Sequence, residues 1–188
     1  MKVLGIVGSP RAEGNTDLLV ARVLMGAAVA GAHTEKISLS SLSYRPCDGC
    51  DSCKTTGVCI IDDDLQQVHR KLAEVDALVL GSPIYWNGLT AQTKALIDRC
   101  QCFWNLRIVL HKAYSGPKRP ALFVSLGGQR RPRFELAIPT VRLWFSILGF
   151  AYTGQLLIPH VESPGEVVDR DDIWRQALDM GSDLVSHH

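Results

Sequence analysis

No apolar run in this chain approaches membrane-spanning length, and the N-terminus enters a strand-like run directly, with no leader pattern. A cytoplasmic protein without a membrane partner is therefore expected. Charge of one sign is also lacking: 20 Lys and Arg stand against 19 Asp and Glu, a formal net charge of +1. Bulk electrostatics thus gives no reason to expect nucleic acid or an acidic membrane surface. Internal repeats, linkers and low-complexity stretches are missing, so residues 1–188 are expected to form one domain. Two familiar phosphate loops are missing as well. Gly8 and Gly14 have five residues between them and Asn15 follows, where the P-loop needs four and then Lys. Gly5-Ile6-Val7-Gly8 does not supply the Gly-x-Gly-x-x-Gly of a dinucleotide fold. The closing His187-His188 reads as a tag remnant.

What is present is ordinary globular material, 46% hydrophobic and 21% charged, which excludes disorder. The chain is organised around its first sixteen residues. Val3, Leu4, Ile6 and Val7 form an apolar run of strand length; Gly8-Ser9-Pro10-Arg11-Ala12-Glu13-Gly14-Asn15-Thr16 is a small-residue loop; a helical pattern then opens near Leu18. A helix start offers unpaired N–H groups and the positive end of its dipole to an anion. Ser9, Asn15 and Thr16 can donate further hydrogen bonds, and Arg11 brings a full charge. The ligand suited to such a loop is a phosphate monoester; a plain turn followed by a capped helix is the competing explanation.

Strand and helix patterns then alternate. Strands are expected at His33–Leu39, Ala77–Gly81, Pro120–Leu126 and Ala151–Ile158. Helices are expected after Leu18, from Asp62 to Ala73, from about Thr90 past Ile97, from about Phe134 to Leu148, and from Asp171 to Val185. Pro139 should delay or kink the fourth of these. Residues 103–119 carry no clear pattern and end in the breaker Ser115-Gly116-Pro117. Such alternation implies a parallel sheet covered by helices on both faces, with every strand-to-helix loop at one edge. The loops at 8–16, 82–88 and 127–129 should meet there. Ser82-Pro83-Ile84-Tyr85-Trp86-Asn87-Gly88 suits the edge and face of a flat polar ring, and Gly127-Gly128 allows close backbone approach.

A Cys-rich insertion at about 40–61 carries Cys47, Cys50, Cys53 and Cys59 in the spacing C-x2-C-x2-C-x5-C. Compact thiolate loops of this kind can wrap a [4Fe–4S] cube. A Cys₄ zinc site, a redox dithiol and plain thiols are the alternatives. Because the segment follows the second strand, it too is expected at the ligand edge. Cys100 and Cys102 read as buried, incidental thiols, and Arg130-Arg131-Pro132-Arg133 as a solvated charge run.

Gly8-Ser9-Pro10-Arg11 with Gly14-Asn15-Thr16, the Ser82-to-Gly88 loop, and Thr90 to Arg99 together resemble the NADPH-dependent FMN reductase family of flavodoxin-like proteins. That resemblance covers essentially the whole chain. It implies a three-layer flavodoxin-like sandwich whose five parallel strands run in the order 2-1-3-4-5. It implies FMN, with Ser9, Arg11, Gly14, Asn15 and Thr16 at the phosphate, Pro83, Ile84, Tyr85, Trp86 and Asn87 along the ribityl and ring, and Gly127 and Gly128 on the ring's other side. The activity implied is that of an oxidoreductase passing electrons from NAD(P)H through FMN to a small-molecule acceptor. The cysteine spacing resembles the iron–sulfur flavoprotein branch, which implies Cys47, Cys50, Cys53 and Cys59 as cluster ligands. In that alternative the protein is an electron carrier exchanging with a ferredoxin-like partner. Family members resemble homodimers or homotetramers.

Overall fold

The computed structural model describes residues 1–112, 114 and 116–186. Ser115, in the expected breaker, and the closing His187-His188 lie outside the described residues. The chain opens with β1 (Lys2–Val7), α1 (Asn15–Val29) and β2 (His33–Ser38). A 3₁₀ turn at Leu39–Ser41 leads into irregular chain interrupted by the short α2 (Cys53–Thr56), and then α3 (Leu65–Glu74). β3 (Ala77–Gly81) is followed by a small hairpin, β4 (Ile84–Tyr85) and β5 (Gly88–Leu89), inside what the sequence showed only as a loop. α4 (Ala91–Arg99), α5 (Gln101–Trp104) and a π-helical turn at Asn105–Val109 give form to part of the stretch without pattern. The chain ends with β6 (Arg119–Gly127), α6 (Ile138–Ile147), β7 (Phe150–Pro159) and α7 (Asp171–Ser186). α6 does start late: Pro139 falls in its first turn, where a missing N–H loses no helical bond.

The main sheet runs β2-β1-β3-β6-β7 with all neighbours parallel. Counted among the sheet's own strands, this is the expected order 2-1-3-4-5. The strand order reverses at β1, so the crevice between the loops after β1 and β3 is the natural place for a ligand. Alternation along the strands divides the core. Leu4, Ile6, Leu78, Leu80 and Phe123 face α3, α4 and α6 through Leu72, Leu96, Val141 and Phe145. Val3, Val7, Val79 and Val124 face α1 and α7 through Leu19, Val23, Ala177 and Leu184. Full burial of one such side chain contributes about 1.5–3 kcal/mol.

Two details fix the layers. α1 and α7 approach so closely that a Cβ on Gly26 would stand 1.9 Å from the Leu178 carbonyl oxygen, and one on Gly181 would stand 1.8 Å from that of Val23. Arg119, 9% exposed, caps two helix C-termini at once. Its guanidinium donates to the carbonyls of Leu72, Ala73 and Val75 at the end of α3 and to that of Leu148 at the end of α6, at 2.6–3.2 Å. The rings of Tyr114 and Phe150 lie 4.6 and 4.0 Å from its charge. Among the described residues no helix is long and apolar enough to cross a membrane.

Candidate functional site: a mononucleotide cleft and a cysteine cavity

α1 is capped by Gly14, whose carbonyl accepts the first helical bond from Leu18 N–H at 3.0 Å. The N–H groups of the first turn are left without helical partners. The loop before it is pre-formed: Arg11 N–H donates to Ser9 Oγ at 3.1 Å, and Glu13 N–H donates to Asp17 Oδ2 at 3.0 Å. Asp17 is also paired with Lys36, so this carboxylate is neutralised rather than set against an incoming anion.

Beneath the loops lies a network of buried hydroxyls. Thr90 caps α4 by accepting from Thr93 N–H at 3.2 Å, and its own hydroxyl donates to the Gly8 carbonyl at 2.6 Å. Thr90 N–H donates to Ser82 Oγ at 3.3 Å, and Ser125 Oγ–H donates to the Ser82 carbonyl at 2.7 Å. Ser82, Thr90, Thr93 and Ser125 are all fully buried. They tie the ends of β1, β3 and β6 into one rigid rim. Gly8 is required there, because a Cβ would stand 1.8 Å from Thr93 Oγ1.

On this rim opens a cleft of about 290 Å³ lined by Ser9, Arg11, Gly14, Asn15, Thr16, Pro83, Ile84, Tyr85 and Gly128, with Leu126, Val161 and Glu162. Nine of the twelve residues read from sequence as cofactor contacts therefore meet in one place. The other three do not line it. Trp86 and Asn87 stand at the exposed tip of the β4–β5 hairpin, both with positive φ, and Trp86 is wholly exposed. Gly127 lies instead against Pro132. Asn15 keeps its place but not a free side chain: its Nδ2–H donates to the Ser163 carbonyl at 2.8 Å. Sequence reading missed Leu126, Val161 and Glu162. The last two sit just beyond β7, in a stretch that the sequence reading left unassigned between its fifth strand and its last helix.

The cysteine segment is not a wall of this cleft, contrary to the expectation that it would share the ligand edge. Cys47, Cys50, Cys53 and Cys59 line a second cavity of about 340 Å³ with Arg99, Gln101, Trp104 and Asn105, and the two cavities share no lining residue. The connection after β2 leaves the sheet edge and packs on α5 and the π turn. A clamp holds it there. Arg99, with its side chain fully buried, donates to both Asp63 oxygens at 2.6 and 3.1 Å and to the carbonyls of Arg45 and Ile61 at 2.8 and 3.2 Å. Burial alone would raise the Asp63 pKa, but the Arg99 guanidinium together with the backbone N–H groups of Arg45 and Leu65 holds the carboxyl below its usual range. α4 thus connects the two cavities, its first cap bonded to the cleft rim and its last residue facing the cysteines; nine residues of helix span about 13 Å.

All six cysteines are free. Burial pushes the Cys102 thiol up to about 12 and that of Cys100 higher still, which suits inert core thiols. Among the described residues no three Cys, His, Asp or Glu side chains are gathered as a single-ion site. One tetrahedral zinc would need its sulfurs about 3.8 Å apart, given a Zn–S bond of about 2.3 Å. The cavity is lined by all four of the spaced cysteines, Cys47, Cys50, Cys53 and Cys59. Arg130, Arg131 and Arg133 are exposed, with Arg133 paired to Glu135, as expected of a solvated run.

The parallel sheet, its reversal at β1 and a cleft at a helix N-terminus define a flavodoxin-like α/β protein. Within that class the chain belongs to the NADPH-dependent FMN reductase family, whose sequence pattern matches residues 1–161. It is similar to an iron–sulfur flavoprotein of Archaeoglobus fulgidus, 39% identical over 98% of this chain and 79% of the relative. It is also similar to an iron–sulfur flavoprotein of Methanocaldococcus jannaschii, 50% identical over 99 residues. That match covers 53% of this chain and spans only 51% of the relative's length. Among solved structures it resembles an NAD(P)H:quinone oxidoreductase from Methanothermobacter marburgensis at a TM-score of 0.72. At 17% identity, over 100% of this chain and 98% of that one, the likeness speaks to fold alone.

Proposed function

We propose that the cleft holds FMN, that NAD(P)H supplies the electrons, and that the cysteine cavity holds a [4Fe–4S] cluster, making this an iron–sulfur flavoprotein. The observation that carries the cluster reading is the convergence of all four spaced cysteines on one cavity with a buried cation in its wall. The names of its relatives support the same reading.

FMN, when bound, supplies both two-electron and one-electron chemistry, so no side-chain acid, base or nucleophile is required. The chain's own residues place it. The α1 N-terminus, Ser9, Thr16 and Arg11 hold a phosphoryl group, while Asn15 contributes its backbone N–H and anchors the 163–167 turn with its side chain. Gly14 lets the loop close beside Arg11. Pro83, Ile84 and Tyr85 line one side of the cleft and Gly128 the other, with Leu126 and Val161 as apolar floor. Trp86 and Asn87 stand at the hairpin tip, outside the phosphate end. Cys47, Cys50, Cys53 and Cys59 provide four thiolates, and no remote ligand is needed.

The acceptor is a small molecule or a ferredoxin-like protein. Exposed Trp104, Ile108, Val109 and Leu143 are consistent with assembly as a homodimer or homotetramer. Free thiols throughout suit the cytoplasm. The test is anaerobic purification followed by an absorption spectrum and an iron assay. A brown protein with one FMN and about four irons per chain is expected. A yellow protein that takes up no iron on anaerobic reconstitution leaves the FMN oxidoreductase without a cluster. A colourless protein that ignores FMN sinks the cleft assignment too.

A further inference from the structure

One wall of the cysteine cavity is the π-helical turn at Asn105–Val109. Single π turns are rare and concentrate at functional sites, where the extra residue re-aims a side chain. The turn is closed by the backbone, Leu110 N–H donating to the Asn105 carbonyl at 2.9 Å, so it does not depend on what side chain position 105 carries. That side chain is 6% exposed, and its Nδ2–H donates to Cys53 Sγ at 3.0 Å. A buried amide aimed at a sulfur is an unusual choice where an apolar residue would pack as well. The same cavity is lined by Arg99, whose fully buried Nε–H has no hydrogen-bond partner.

We propose that Asn105 is a positioning residue that raises the reduction potential of the cluster through an N–H···S bond to Cys53, with the Arg99 charge reinforcing it. The inference rests on the cluster reading above and goes beyond it. Reduction adds an electron whose charge is shared by the ligand sulfurs. A hydrogen bond to such a sulfur is stronger in the reduced form, as is its attraction to a nearby cation. Asn105 and Arg99 therefore favour the reduced state.

The test is a dye-mediated titration with dithionite, under anaerobic conditions, of the unaltered holoprotein and of Asn105→Leu, with iron counted in each. Leucine keeps the branching and heavy-atom count of the side chain and removes the donor. The expected result is unchanged iron and about a tenfold fall in the equilibrium constant for reduction, ~59 mV more negative for a one-electron couple. Full iron with an unmoved potential overturns the inference. Should the variant lose its iron, the unaltered protein decides. The chain has three asparagines, Asn15, Asn87 and Asn105. With asparagine labelled by ¹⁵N, pulsed EPR of the reduced cluster should show coupling to nitrogen, and its absence overturns the inference. No iron in the unaltered chain overturns the cluster reading itself, which is a different result from iron present with an unmoved potential.

Discussion

The cleft and the cysteine cavity are held by different means. The cleft rests on the sheet: its loops leave β1, β3 and β6, and buried hydroxyls of Ser82, Thr90 and Ser125 join those strand ends directly. The cavity rests on side chains. Its segment has one short helix, largely exposed residues, and the Arg99–Asp63 clamp as its main tie to the body of the protein. A rim whose strand ends are joined by several buried hydroxyls does not hang on any one of them. A cavity hung on a clamp depends on single side chains. The two regions should therefore fail separately, although α4 connects them.

The largest effect is expected from Arg99→Met. It leaves the Asp63 carboxylate, 11% exposed, without its partner, and strips the carbonyls of Arg45 and Ile61 of their donors. Removing one side of a buried pair is destabilising by about 3–5 kcal/mol. The melting temperature should fall and iron should be lost, while FMN affinity at low temperature stays within about twofold, below 0.5 kcal/mol. Iron retained at full stoichiometry would show that the clamp does not hold the segment. The opposite dissociation is expected from Gly8→Ala. Its methyl group would meet Thr93 Oγ1, and overpacking of this kind amounts to about 1–3 kcal/mol. FMN titration should then show affinity reduced about tenfold or more, with iron per chain unchanged. Loss of both cofactors in either variant would erase the contrast between the regions.

The same contrast governs what was legible in the sequence. The strands declared themselves by apolar runs such as Ala77–Gly81, and the order of strand, small-residue loop and helix located most of the cleft. The rim beneath it was not legible. Ser82, Thr90, Thr93 and Ser125 are polar residues in the core, and periodicity counts them as surface; only their mutual hydrogen bonds show otherwise. The hairpin at 84–89 was hidden because two strands of two residues are shorter than any periodic signal. The four cysteines were legible as a spacing, but their position was not. The rule that strand-to-helix loops share an edge assumes a short loop, and 26 residues separate β2 from α3. Arg99 ends an amphipathic helix where an exposed basic residue is the ordinary outcome, and nothing local revealed that it turns inward. Asn105 lies in a stretch with no period at all, because a π turn breaks the helical repeat.

A third side chain near the clamp tests the boundary from the other direction. His69 is buried on α3, edge-on to Phe103 with ring centroids 5.6 Å apart, and its Nε2 has no partner. Burial lowers its pKa to about 4, and the Arg99 charge pushes the same way, with Asp63 opposing. The unfolded chain takes up this proton near pH 6.5, the folded chain only near pH 4. Between those values the unfolded state binds more protons, so stability falls as pH falls across this window and levels off below it with respect to this group. Asp63 acts in the next window: its lowered pKa stabilises the fold above the ordinary carboxylate range, and that contribution disappears as pH drops further. Denaturation at pH 7 and pH 5 should thus show a loss of about 2 kcal/mol at most from His69. His69→Phe should flatten that step and leave the acid limb set by Asp63. A pH 5 to pH 7 difference equal in the variant and the unaltered protein would place the proton uptake elsewhere. FMN affinity at either pH should be the same in His69→Phe and the unaltered protein, because His69 is not among the residues that line the cleft.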